Sequence, residues 1–249
     1  MTKTSIEWTS YSWNPTTGCD RVSPGCDHCY ALTMAGRLRA AKSPAYQNDG
    51  DPRTSGPGFA LTLHPDRLEA PLHWPKPSLV FVNSMSDLFH AKVPFNFVEK
   101  VWDVMRRSPQ HTYQILTKRP DRMARFSERL EVLPNVWLGT SIEDQARLGR
   151  LRDLNFTLAA VTFVSAEPLL GPIDFGPALH LVDWMIVGGE SGPGARPMDL
   201  EWARSIRDQC QAAGVKYFLK QLGGHPDKRG HDKALLDGQL WREMPEVAA

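Results

Sequence analysis

The chain has 249 residues, 41% hydrophobic and 23% charged, enough to bury a core in one large domain and a balance that excludes a disordered chain. No apolar run approaches the ~20 residues of a membrane-spanning helix. Residues 1–8 also lack the apolar centre of a signal peptide, so a cytoplasmic protein with no membrane partner is expected. A net charge of +1 supplies no global positive field for nucleic acid, which leaves only a local basic patch as a route to such a partner.

In chain order, residues 11–13 read as a strand and a cysteine-bearing loop follows them. A helix is expected over 31–41, then a loop over 43–58. Short apolar runs rich in β-branched and aromatic residues predict further strands at 59–63, 79–82, 113–116, 136–138, 161–164, 184–187 and 217–219. Helical patterns separate several of them. Val98, Val101, Trp102 and Met105 form one apolar stripe, and Ala203, Ile206, Cys210 and Ala213 another, with Gly214 placed to end it. Segments 122–130 and 143–154 are two more expected helices, and 168–177 reads as a loop. Strands buried on both faces and joined by helices imply parallel pairing. Some eight strands predict an α/β fold: a (β/α)8 or partial TIM-type barrel spanning residues 1–249 as a single domain, with a doubly wound open sheet as the alternative.

Most of these strands end in polar clusters: Asn83 to Asp87, Thr117-Lys118-Arg119, Thr140 to Glu143, Ser165-Ala166-Glu167, Gly189-Glu190-Ser191 and Lys220-Gln221. In a barrel they would converge on one mouth, where active sites of this architecture lie.

Cysteine use is uneven. Cys19, Cys26 and Cys29 fall in one loop with C-x6-C-x2-C spacing, whereas Cys210 sits on the apolar stripe of its helix and reads as a core residue. Gly18, Pro24 and Gly25 supply turns that let three thiols converge. Thiolate selects zinc, copper(I) or iron–sulfur clusters. Three cysteines leave one iron of a cluster open to an outside ligand; zinc held by the three with His28 is the competing assignment.

The run Trp13-Asn14-Pro15 through Gly18-Cys19, then Ser23-Pro24-Gly25-Cys26 through Cys29-Tyr30-Ala31, resembles the signature of an uncharacterised bacterial and phage-encoded protein family. The resemblance extends through Asp87-Leu88-Phe89, Leu116 to Pro120, Ser165 to Leu169, Gly188 to Gly192, and Leu236-Asp237-Gly238 with Trp241. That family is similar in turn to radical S-adenosylmethionine (radical SAM) enzymes, and more loosely to spore photoproduct lyase. Three departures are visible. Six residues rather than three separate the first two cysteines, His28 replaces the aromatic that usually precedes the third, and Gly188-Gly189-Glu190 follows a late strand rather than the second.

The resemblance implies a [4Fe–4S] cluster on Cys19, Cys26 and Cys29, with S-adenosyl-L-methionine on the open iron. It implies an enzyme that reductively cleaves SAM to a 5′-deoxyadenosyl radical, with a reductant protein such as a flavodoxin or ferredoxin as partner. Lys118 is then the expected cation for the methionine carboxylate. Asn83, Thr140, Ser141 and Glu143 are expected at the ribose hydroxyls, and His28 against adenine. Glu167 and Glu190 are expected to serve a substrate or the SAM amine, or else to form salt bridges at the barrel mouth. The substrate stays open, with nucleic acid as one class, because Arg122, Arg125 and Arg129 share a helical face that could meet phosphates. The contrasting expectation is a zinc- or cluster-stabilised nucleic-acid-binding module without catalysis.

Overall fold

In the computed structural model, which describes residues 2–246, the chain opens with β1 (Thr2–Lys3), β2 (Tyr11–Trp13), β3 (Thr16–Thr17), α1 (Tyr30–Ala40) and β4 (Thr62–Leu63). It continues with β5 (Leu79–Val82), α2 (Phe95–Arg107), β6 (Thr112–Thr117), α3 (Pro120–Ser127), β7 (Val136–Ser141) and α4 (Gly149–Asn155). The last part holds β8 (Val161–Ala166), β9 (Trp184–Gly188), α5 (Leu200–Ala213), β10 (Lys216–Gln221) and a hairpin of β11 (Leu235–Leu236) and β12 (Gln239–Leu240).

Strands β2, β5, β6, β7, β8, β9 and β10 pair in parallel in that spatial order, and β1 lies antiparallel on β2. The sheet curls into a half-barrel, the partial form of the TIM-type architecture. The eighth barrel strand expected at 59–63 does not join it. Within that segment Thr62–Leu63 instead pairs antiparallel with Thr16–Thr17 and braces the cysteine loop. The helix expected over 143–154 is also shorter. Asp144 caps a separate tight turn by accepting from the Arg147 N–H, which leaves Glu143 at the end of the preceding strand segment and starts α4 at Gly149.

Alternation along the strands sorts side chains to two faces. One face carries Val80, Val82, Tyr113, Ile115, Leu138 and Val187, which pack in one large core with Val98, Val101 and Met105 of α2 and Ile206 and Cys210 of α5. Cys210 is fully buried, as its apolar stripe predicts. The other face carries Phe81, Trp137, Phe163, Trp184 and Phe218, joined by Trp8 from the N-terminal segment. Their rings pack edge to face or tilted, Trp8 to Phe81 at 4.8 Å and Trp8 to Trp184 at 6.1 Å, and fill the barrel interior with an aromatic plug. Further along the same strands the inward positions turn polar, at Lys118, Ser141, Ser165 and Lys220. The plug therefore floors a polar mouth at the C-terminal ends of the strands. Among the described residues no helix is long and apolar enough to cross a membrane.

Candidate functional site at the barrel mouth

The cysteine loop leaves the sheet after the first parallel strand and returns as α1. Gly18 begins it with φ +84°, and a Cβ there would run into the Ala60 carbonyl, so the turn requires glycine. A short turn over Pro24–Cys26 follows, and the Cys29 N–H donates to the Cys26 carbonyl at 3.3 Å just before α1 starts. Cys19, Cys26 and Cys29 are partly exposed and none is in a disulfide.

Strand ends pin this loop along its length. Arg119, after β6, donates to the Asp20 carbonyl at 3.0 Å and to the Cys19 sulfur at 3.6 Å, and is anchored by the Asp87 carboxylate at 2.9 Å. The His90 ring meets the Asp20 carboxylate at 2.9 Å. Ser23 donates to Glu143 at 2.5 Å, and Arg196 to the Pro24 carbonyl at 2.9 Å. His28 meets Glu190 at 2.8 Å, and the Tyr30 hydroxyl donates to the Ser84 carbonyl.

Glu143 is the hub of one of these ties. It is fully buried, with Arg150 at 2.8 Å and Lys118 at 3.4 Å. Burial opposes its ionisation, but Lys118, Arg150 and the Ser23 hydroxyl outweigh that and lower its pKa. Glu190 behaves similarly. Burial acts against its charge, and hydrogen bonds from Arg196 and His28 win, holding its carboxyl at about 2.

Beside the loop lies a cavity of about 500 Å³, floored by Trp8 and Phe81 of the plug and walled by Cys29, Lys118, Glu167 and Lys220 among others. Lys118, Ser141 and His28, three of the residues expected to hold SAM, line it together with Cys29. Asn83 and Thr140 are placed otherwise. Asn83 is buried with φ +62° and accepts the Thr16 N–H at 3.3 Å, and Thr140 is buried and donates to the Thr117 carbonyl at 2.9 Å. Glu143 supports the cavity from behind through Lys118 and Ser23. The three arginines in and just after α3 have partners within the chain. Arg122 donates to the Val93 carbonyl at 2.7 Å and lies over Phe126, Arg129 lies over Phe95, and Arg125 pairs with Asp121.

The donors that could hold a metal or a cluster are the three thiols of one loop, soft ligands that suit zinc or an iron–sulfur cluster. Among the described residues no three His, Cys, Asp or Glu side chains are gathered closely enough to hold one metal ion. His28 meets Glu190 through Nδ1 at 2.8 Å, which leaves its Nε2 unengaged by that contact. Burial, aided by Asp87 and opposed by Arg119, pushes the Cys19 thiol up to about 12, and burial also raises Cys29. Ligation would therefore release protons from these thiols.

Sequence reasoning left several residues out of this site. Trp8 and the 3–6 segment line the cavity although nothing in their local pattern marks them. The Arg119 contact with Cys19 joins residues a hundred positions apart, and only the parallel order of β2, β5 and β6 brings them together.

Fold and site together define an α/β protein of partial parallel-barrel architecture, with a three-cysteine loop after its first parallel strand. Residues 3–245 match the family model described as a protein of unknown function (DUF5131), and the chain belongs to that family. No curated protein and no solved structure matches the chain.

Proposed function

We propose that this chain is a radical SAM-type enzyme. Cys19, Cys26 and Cys29 would ligate a [4Fe–4S] cluster, and SAM would occupy the adjoining cavity. The observation that carries this reading is the placement of Cys29 in the wall of a cavity that is also lined by the C-terminal ends of parallel strands. When bound, the cluster supplies one electron to the sulfonium of SAM, giving methionine and a 5′-deoxyadenosyl radical.

The chain's own groups have separate tasks in this scheme. Arg119 donates to the Cys19 sulfur, a contact that favours a thiolate there. Lys118 offers an ammonium to the methionine carboxylate, and Ser141 offers a hydroxyl within the same cavity. Glu143, Arg196 and Glu190 hold the loop in place without being ligands. Trp8 and Phe81 exclude water from the floor. A flavodoxin- or ferredoxin-like protein would supply the electron.

The test is anaerobic reconstitution with iron and sulfide, followed by metal analysis, an absorption spectrum, and mass-spectrometric detection of 5′-deoxyadenosine after dithionite reduction with SAM. Replacing any of the three cysteines with Ala should abolish the visible absorbance, and Cys210→Ala should preserve it. Stoichiometric zinc with no iron uptake, or a full cluster that neither binds nor cleaves SAM, would overturn the proposal.

A further inference from the structure

We infer that the Lys220 end of the cavity is a phosphate-binding site, so that the substrate of this enzyme carries a phosphate group. The inference rests on the radical SAM reading for its chemistry, though not for the binding itself.

Two backbone features build this end. Lys220 follows inward Phe218 by two residues and so faces the cavity, and the β9–β10 register shifts beside it, between Leu219 and Gln221. Across β9, a Cβ on Gly188 would stand 2.5 Å from the Glu167 carboxylate. Glycine at that position lets Glu167 reach over the strand and meet Lys220 at 2.9 Å. Both side chains are largely buried and both line the cavity. Lys118 lies on the Cys29 side, and Lys220 stands four strands further round the sheet. The cavity therefore has two cationic positions, on strand ends that are not neighbours in the sheet.

Lysines outnumber carboxylates in the lining of this cavity, with Lys3, Lys118, Lys220 and Lys228 against Glu167 and Glu190. Lys228 is 3.9 Å from Glu7, whose carboxylate is held more closely by Arg242 at 3.0 Å. Glu190 is engaged by the Arg196 guanidinium and the His28 ring. That leaves Glu167 as the carboxylate facing Lys220. An ammonium has three donors, and one carboxylate contact leaves others free.

A phosphate carries more charge than a carboxylate and is bound by lysines as point charges, which suits a cavity that adds Lys228 and Lys3 to Lys220. Among the described residues no arginine lines the cavity. Thr4, Ser5 and Ser191 add hydroxyl donors there. Glu167 then orients Lys220 in the empty site and competes with the incoming phosphate.

The experiment is calorimetric titration of the full chain with inorganic phosphate, 5′-AMP and a short single-stranded oligonucleotide. Wild type should bind phosphate saturably, and Lys220→Ala should weaken it tenfold or more. Glu167→Gln should tighten binding severalfold by removing the competing carboxylate, a sign that a merely structural ion pair would not give. Lys216→Ala, at the other end of β10 and exposed, should bind as wild type and controls for net charge. Preference for 5′-AMP would assign the phosphate to a small molecule, and preference for the oligonucleotide to a nucleic-acid strand. Should Lys220→Ala fail to fold, Lys228→Ala must weaken binding severalfold. Absence of saturable binding, or unchanged binding in a folded Lys220→Ala protein, overturns the inference. Iron content and SAM cleavage measured on the same preparations separate the two readings. Phosphate binding without a cluster defeats only the enzyme proposal, and SAM cleavage without phosphate binding defeats only this one.

Discussion

Arg119 joins Cys19 to Asp87: one of its N–H groups lies 3.6 Å from the Cys19 sulfur and 2.9 Å from the Asp87 carboxylate. Asp87 in turn accepts from the Thr117 hydroxyl at 2.7 Å and the Phe89 N–H at 2.9 Å. The first cysteine is thereby fixed to the ends of β5 and β6 through one buried ion pair. Removing one partner of such a pair leaves an uncompensated charge, typically at a cost of 3–5 kcal/mol. The remaining donors to Asp87 put Arg119→Ala at the low end, about 3 kcal/mol less stable than wild type in urea unfolding. Arg119→Lys should recover part of the loss, since it restores charge without the fork. A loss below about 1 kcal/mol for Arg119→Ala would show that Thr117 and the backbone satisfy Asp87 alone.

Gly139 lies in β7 level with Phe163 of the aromatic plug, and a Cβ there would stand 2.5 Å from the Phe163 ring. Phe163 is itself enclosed by Trp8 and Trp184, so the ring has little room to yield. Gly139→Ala should therefore destabilise the protein by about 1–3 kcal/mol through overpacking. Adding Phe163→Leu should return part of that loss by opening space. Thermal unfolding of the single and double variants checks this, and additive losses in the pair would refute the steric explanation.

The barrel strands were legible because each is buried on both faces and reads as a short apolar run. The polar residues after them marked the mouth for the same reason: water begins where the apolar run stops. What was not legible depended on pairing at a distance. The 59–63 run has a strand's composition, yet its partner is Thr16–Thr17 beside the cysteines rather than a barrel neighbour. Glu143 reads in sequence as a group free to bind a ligand. Its burial is tolerable only because Arg150, Lys118 and Ser23, drawn from three separate segments, surround it. Lys220 with Glu167 is similar, since their contact crosses β9 and depends on Gly188 having no side chain.

Glu190 gives a pH prediction. Its carboxyl is lowered from 4.5 to about 2 by Arg196 and His28 acting against burial. A carboxylate with a depressed folded-state pKa contributes stability that is complete above its unfolded value and is lost as pH falls through the folded one. The contribution should thus be full at about pH 5 and fade toward pH 2, by on the order of 2 kcal/mol. Glu190→Gln should remove this component of the slope, so its stability at pH 5 falls below wild type and the gap narrows as pH drops. Parallel stability–pH curves for the two proteins between those values would contradict the assignment.

Lys118 carries the last prediction, because it touches both the cavity and the hub behind it. It lines the cavity near Cys29, and its ammonium lies 3.4 Å from Glu143. Glu143 keeps Arg150 at 2.8 Å, so removing the lysine does not strand an unpaired buried carboxylate. Lys118→Ala should therefore fold and take up iron normally. A hydrogen bond from a charged group is worth roughly 1.5–3 kcal/mol. Its loss should weaken SAM binding by about one to two orders of magnitude, at 1.4 kcal/mol per tenfold. Glu143→Gln should show the converse pattern. It weakens the hold on Ser23, and with it the cysteine loop, so iron uptake should fall before SAM affinity does. Equilibrium dialysis of SAM against reconstituted protein, read beside iron content, separates the two effects. Normal iron with unchanged SAM affinity in Lys118→Ala would remove Lys118 from the carboxylate site and leave it only as a partner of Glu143.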